Sequence, residues 1–240
     1  MREYQVSWQP YQLRFSLIGI EEGCPKPDLS EIFGVEVQDT AISGPRKDLR
    51  QTAMFGAGHL TMNATHTRVD FLWQSLPPMV ELVRLGDLGE AVPHLLNPIR
   101  DFVQSKSWGR VAFGAVCGAQ VTGRSTGYAQ LDERLEEVSV NGDDTSDFLY
   151  QINRPSRVEL TTGSVVLNRL QKWAVARIKF VGPGADRETG EDSLDIPDVL
   201  VAQVTLDFNT PVESERRLSG AEALAVLDQA VADAVDLIGG

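Results

Sequence analysis

The chain has 240 residues, 42% hydrophobic and 23% charged, proportions ordinary for a folded protein with a sizeable core. Its 34 acids outnumber its 22 lysines and arginines, giving a net charge of −12, which argues against a nucleic-acid backbone as the main partner. No apolar run reaches the roughly 18 residues of a membrane span, and the opening MREYQVSWQP lacks the basic-then-apolar order of a secretory signal.

In chain order, residues 6–19 read as a half-buried strand. Tyr11, Leu13, Phe15 and Leu17 face one way, and Gln12, Arg14 and Ser16 the other. Pro10 breaks the phase, which suits an edge or a bulge. Residues 21–50 read as a long, turn-rich connection with one short helix at 28–34. Residues 52–74 read as a hairpin in which Val69, Phe71 and Trp73 alternate, with His59 on the sheet surface. After Pro77-Pro78, helices are expected near 79–86, 88–96 and 98–106. Asp87 and Glu90 have capping-box spacing, and Asn97-Pro98 reads as a second helix start.

The run RVAFGAVCGAQVT (110–122) is a nearly continuous apolar strand, which suits a central position. A helix at 128–138 follows. Three strands come next, DFLYQINRPSRVEL, SVVLNRLQKWAVARIKF and VLVAQVTLDFN, separated by turn-rich segments. Ser219 and Glu222 form a capping box for a last helix with an apolar stripe of Leu224, Leu227, Val231, Val235 and Ile238. Adjacent strands followed by helices imply an α+β fold, a mostly antiparallel sheet with helices on one face. The halves 1–108 and 109–240 echo each other in layout, without repeated residues, and form two domains or one continuous one.

Catalytic chemistry has one local signal, Gly123-Arg124-Ser125-Thr126-Gly127 between a strand and a helix. That is the pattern of a nucleophile elbow, with Ser125 as its serine. A serine nucleophile needs a base, usually histidine. His59, His66 and His94 all precede Ser125, and the strands after it leave no room for crossover helices. The competing reading is a turn with Ser125 or Thr126 capping the next helix. Cys24 and Cys117 form no CxxC, and with the scattered histidines they give no zinc pattern. No metal or cofactor is expected, and a reducing cytoplasm is.

For binding, Asp207 falls on the polar side of its strand. It is expected to pair across strands with Arg177 or Lys179, and a polar sheet face around these three residues is the candidate ligand site. Arg169, Lys172, Arg177 and Lys179 with Trp173 form a basic-aromatic stretch of the kind that binds single strands. Acids crowd the next loop, from Asp186 to Asp198, and more plausibly neutralise it. That loop lacks calcium-loop spacing. Residues 182–240 hold thirteen acids and three arginines, so most of the net charge lies there. Such acidity favours solubility and a basic partner.

The second half resembles a sporadically distributed bacterial family of uncharacterised proteins of about this length. The likeness lies in a helix, the glycine-rich strand RVAFGAVCGAQV, and the strand VTLDFN followed by a capped terminal helix. The chain departs from it in lacking an aromatic and an asparagine at the end of the glycine-rich strand, and an aromatic late in the last helix. The resemblance implies no activity. The sequence thus leans away from an enzyme and toward a binding or assembly protein acting through protein contacts, as an oligomer or complex subunit. The alternatives are a serine hydrolase using Ser125, a small-ligand domain, and a holdase chaperone of the SecB kind, the last by composition only.

Overall fold

Strands dominate this chain because its apolar residues alternate, and each alternating stretch needs a neighbour that buries one face. The structure is a computed structural model that describes residues 8–20, 24–76, 83–140, 146–178, 199–212 and 216–239. Among these, ten strands form one antiparallel sheet. They are β1 (Gln9–Ile18), β2 (Val37–Ser43), β3 (Asp48–Phe55), β4 (Gly58–Ala64), β5 (Arg68–Ser75), β6 (Arg110–Val121), β7 (Leu149–Asn153), β8 (Ser156–Leu160), β9 (Gly163–Ile178) and β10 (Val199–Asn209). The helices are α1 (Leu29–Phe33), α2 (Leu88–Gln104), α3 (Arg124–Arg134) and α4 (Gly220–Gly239). The fold class is α+β, as the sequence implies. No helix among the described residues is long and apolar enough to cross a membrane.

The strand order is β2-β3-β4-β5-β1-β6-β10-β9-β7, with β8 also paired to β9. The two halves repeat one plan. In each, the first strand pairs with the last, β1 with β5 and β6 with β10, and a long helix follows. The halves join where β1 pairs with β6. There Phe71, Phe15, Phe113 and Phe208 lie in register across β5, β1, β6 and β10. All four are at most 1% exposed, and the Phe15 and Phe113 ring centroids lie 5.3 Å apart.

Helices α2 and α4 cover this row side by side, α2 over β1 and α4 over β6. Their approach depends on Gly220: a Cβ there would sit 2.2 Å from the Gln104 carbonyl oxygen. Arg100 and Asp228 then link the helices at 2.5 Å. Helix α3 lies on the same side, with Gly127 against Val121 and Val175, and Leu29 of α1 joins the same core.

Several elements depart from the sequence expectation. The stretch 21–50 contains β2 and the start of β3 as well as α1, and the hairpin 52–74 is three strands, turning at Gly56 with φ +54°. Pro93 and Pro98 both lie inside the single helix α2. Its buried face (Val92, Leu95, Leu96, Ile99, Val103) outweighs the roughly 3 kcal/mol an internal proline costs. Asp87 does cap it, accepting from the Gly89 amide at 2.8 Å. Of the expected helix 79–86, residues 79–82 lie outside the described residues and the rest is not helical. Helix α3 begins four residues earlier than expected, and the strand 147–160 divides into β7 and β8 around Arg154-Pro155. In α4 the buried stripe centres on Ala223, Leu227, Ala230 and Ala234, leaving Val231 and Val235 half-buried. Both cysteines are free, and burial pushes the Cys117 thiol up to about 12.

The expected capping box of α4 is present. Glu222 accepts from the Ser219 amide at 2.9 Å, and the Glu222 amide donates to Ser219 Oγ at 3.3 Å. The Thr162 hydroxyl and Arg216 also reach Glu222. The Thr162 bond first, then the Ser219 amide, hold its carboxyl down to about 2, from 4.5. A depressed carboxylate stabilises the fold above its unfolded pKa and loses that contribution as pH falls toward the folded value. Urea unfolding should therefore lose stability as pH drops from about 4.5 toward 2, and Glu222→Gln should flatten that part of the profile. At the sheet centre, Phe113→Ala should cost about 3–5 kcal/mol, whereas exposed Val212→Ala should change stability by less than about 0.5 kcal/mol.

Candidate functional site

Ser125 sits in the first turn of α3 and is exposed. The helix N-cap is Gly123, with no side-chain cap, so neither Ser125 nor Thr126 caps it. No histidine bonds to Ser125 among the described residues. His66 instead meets Arg46, with Nε2 and Nη1 2.5 Å apart. His94 stacks on Phe55 at 4.5 Å, and His59 is exposed on β4. Among the described residues the local elbow pattern therefore assembles no serine–histidine pair.

Asp207 lies on the face of the sheet opposite the helices, and it does not meet Arg177. In the β10–β9 register Asp207 stands opposite Leu170, while Arg177 stands opposite Leu200 on the helix-bearing face. Lys179 lies outside the described residues. The partner of Asp207 is Arg14 of β1, reaching across β6 to 3.6 Å.

Gly114 makes that reach possible. One row across five strands reads Leu72, Arg14, Gly114, Asp207 and Leu170. With no side chain on the middle strand, the Arg14 guanidinium lies over the Gly114 backbone. A Cβ there would meet Arg14 Nη2 at 3.3 Å and Nε at 3.4 Å. Arg14 and Asp207 side chains are 35% and 38% exposed, and Arg14 Nε is buried without a partner. This ion pair is therefore partly open to solvent, while Nε itself is enclosed within the chain.

A second polar span lies beside it. The backbone bulges between Pro10 and Gln12, which turns Tyr11 onto the helix-free face, contrary to its sequence phase. The Tyr11 hydroxyl donates to Gln203 Oε1 at 2.5 Å, near Gly118 of β6. Burial, with a smaller contribution from Cys117, raises the Tyr11 pKa, so the phenol stays a donor. A third group completes the face: Ser16 donates to Asp70 at 2.5 Å, and Arg68 holds Asp70 at 2.7 Å. Val116, Leu72 and Leu170 stand half-buried among these groups, and Leu149 at the margin is 56% exposed.

Other candidates resolve into structure. Trp173 is 3% exposed, edge-on to Trp8 at 5.6 Å, so it offers no ring to a nucleobase. Arg169 pairs with Asp233 at 3.2 Å. A cavity of about 160 Å³ lies between the ends of α3 and α4, smaller than the usual ligand pocket. Its arginines are engaged, Arg134 with the Ile238 carbonyl and Arg154 with Glu137 at 2.6 Å. The acidic loop before β10 lies outside the described residues, and no metal-binding group of three His, Cys, Asp or Glu occurs among the described ones.

The sequence pointed to Asp207 and missed Arg14, Gly114 and Tyr11. Arg14 carried a signal, in phase with Gln12 and Ser16 on a polar side. Compared with protein-family models and with curated proteins, the chain matches none.

The two β6 glycines should respond differently to a methyl group. At Gly114 two of the three close atoms belong to the Arg14 guanidinium, which needs to give by only a few tenths of an ångström. Gly114→Ala should therefore shift stability by less than about 1 kcal/mol while moving Arg14 off Asp207. At Gly118 a Cβ would sit 2.5 Å from Val201 Cγ1 and 2.8 Å from the Ala202 carbonyl. Gly118→Ala should cost about 1–3 kcal/mol. Urea titrations of the two variants check the order.

Proposed function

We propose that the chain is a non-enzymatic, cytoplasmic binding protein that contacts another protein through the helix-free face of its sheet. The observation that carries this reading is the Leu72–Arg14–Gly114–Asp207–Leu170 row. It sets an under-bonded guanidinium between half-buried leucines at the centre of an open face. Arginine and tyrosine anchors within an apolar surround are the residue types that dominate protein interfaces. Here Arg14 and Tyr11 are also held in place before binding, Arg14 over a glycine and Tyr11 by Gln203, which reduces the ordering cost of association.

The face is mixed rather than uniformly apolar, which suits a partner that joins and leaves more than a permanently buried core. The exposed part of the Arg14–Asp207 pair would meet a complementary charge or a backbone group of the partner.

A photo-crosslinking amino acid at Gln12 or Lys172, on this face, should give adducts of discrete mass in the cells that naturally make the protein. The same group at Asp101 or Asp236, on the outer surface of the helices, should give none. Adducts from the helix positions alone, or from none of the four, would overturn the reading.

A further inference from the structure

We infer that the cavity between the ends of α3 and α4 binds an uncharged single-ring molecule carrying a hydrogen-bond acceptor, the chemistry of an aromatic amide. The cavity measures about 160 Å³. That is too small for a large cofactor, but a cavity of roughly 150 Å³ holds one benzene ring. Leu135, at the end of α3, and Leu237 of α4 supply apolar wall for such a ring. Gln171 and Trp173, 8% and 3% exposed, form the floor, and exposed Arg154 and Glu137 form the rim.

Gln171 sets the ligand's chemistry. It stands on the helix-bearing face of β9, in register with Leu206 on one side and Ile152 on the other, where an apolar side chain would leave no polar group unmet. The Trp173 indole, which donates but cannot accept, gives its N–H to Gln171 Oε1 at 3.3 Å. That fixes the carboxamide, with Nε2 turned away from the indole. Nε2 has no acceptor among the described residues. Nor is it sealed in protein, so it opens on the cavity that Gln171 lines. A buried donor without an acceptor is destabilising, and an acceptor on a bound ring removes that cost.

Charge decides against an ion. Glu137 Oε2 lies 2.6 Å from Arg154 and accepts from Tyr150 at 3.3 Å. Arg134 donates to the Ile238 carbonyl at 3.2 Å and lies over the Trp8 ring. A ligand carboxylate would meet two engaged guanidiniums with Glu136 and Glu137 beside them. It would lose its hydration without gaining a counter-charge.

The cavity lies on the opposite side of the sheet from the proposed protein contact, and the inference stands without that reading. Titrating benzamide into the isotope-labelled full chain should shift the Trp173 indole N–H resonance saturably, with a Kd of about 1 mM, because indole and ligand share the Gln171 carboxamide. Toluene, which lacks the acceptor, and benzoate, which is charged, should each bind at least about tenfold more weakly. Gln171→Leu should reverse the first preference and bind toluene more tightly than benzamide, which also shows the cavity intact. Leu237→Trp, at a half-buried helix position, should fill the cavity and abolish the benzamide response in a folded protein. No saturable response to benzamide overturns the inference. So does an equal affinity for toluene, a preference for benzoate, or a Gln171→Leu protein that keeps the wild-type affinity for benzamide.

Discussion

The pairing of β1 with β6 is the contact on which the rest of the molecule depends. It joins two halves with the same internal order, and it aligns Phe15 with Phe113 at the centre of a four-phenylalanine row. Burying that row needs a helix layer, and α2 and α4 supply it as neighbours, close enough for Gly220 to touch the Gln104 backbone. The same pairing has a consequence on the other side. It brings Arg14 and Asp207, from opposite ends of the chain, to either side of Gly114. The core and the polar helix-free face are thus two sides of one register, and a slip of one residue would exchange them.

Glycine on β6 has two distinct uses. Gly118 is a packing requirement, because Val201 and the Ala202 carbonyl occupy the space a side chain would need. Gly114 is a passage for another residue's side chain. The apolar run RVAFGAVCGAQV shows both glycines alike. Only the partners across the strands tell them apart.

Much of the fold was legible in the sequence because its signals were local. The continuous apolar run of β6, the alternation of β10 and the Ser219–Glu222 cap each specify an element within a few residues. What was missed depends on contacts distant in sequence. β2 shows little alternation, and it is a strand because β3 pairs with it. Pro93 and Pro98 read as breaks, yet α2 continues because its apolar face is buried. Asp207 was correctly placed on a polar face, but alternation gives only the face of one strand. The neighbouring register sends Arg177 to the helix side, and the partner on the near side is Arg14, which no spacing rule connects to Asp207.

The central claim is that the helix-free face is covered by another protein in the cell. Oxidative footprinting of the whole chain, in its native cells and after purification, tests this most directly. Tyr11, Leu72 and Met54 lie on that face, and Met54 is 38% exposed in the free chain. The account predicts that all three are labelled in the purified protein and protected in cells, while exposed Val212 is labelled equally in both. Equal labelling of Tyr11, Leu72 and Met54 in the two settings would contradict it.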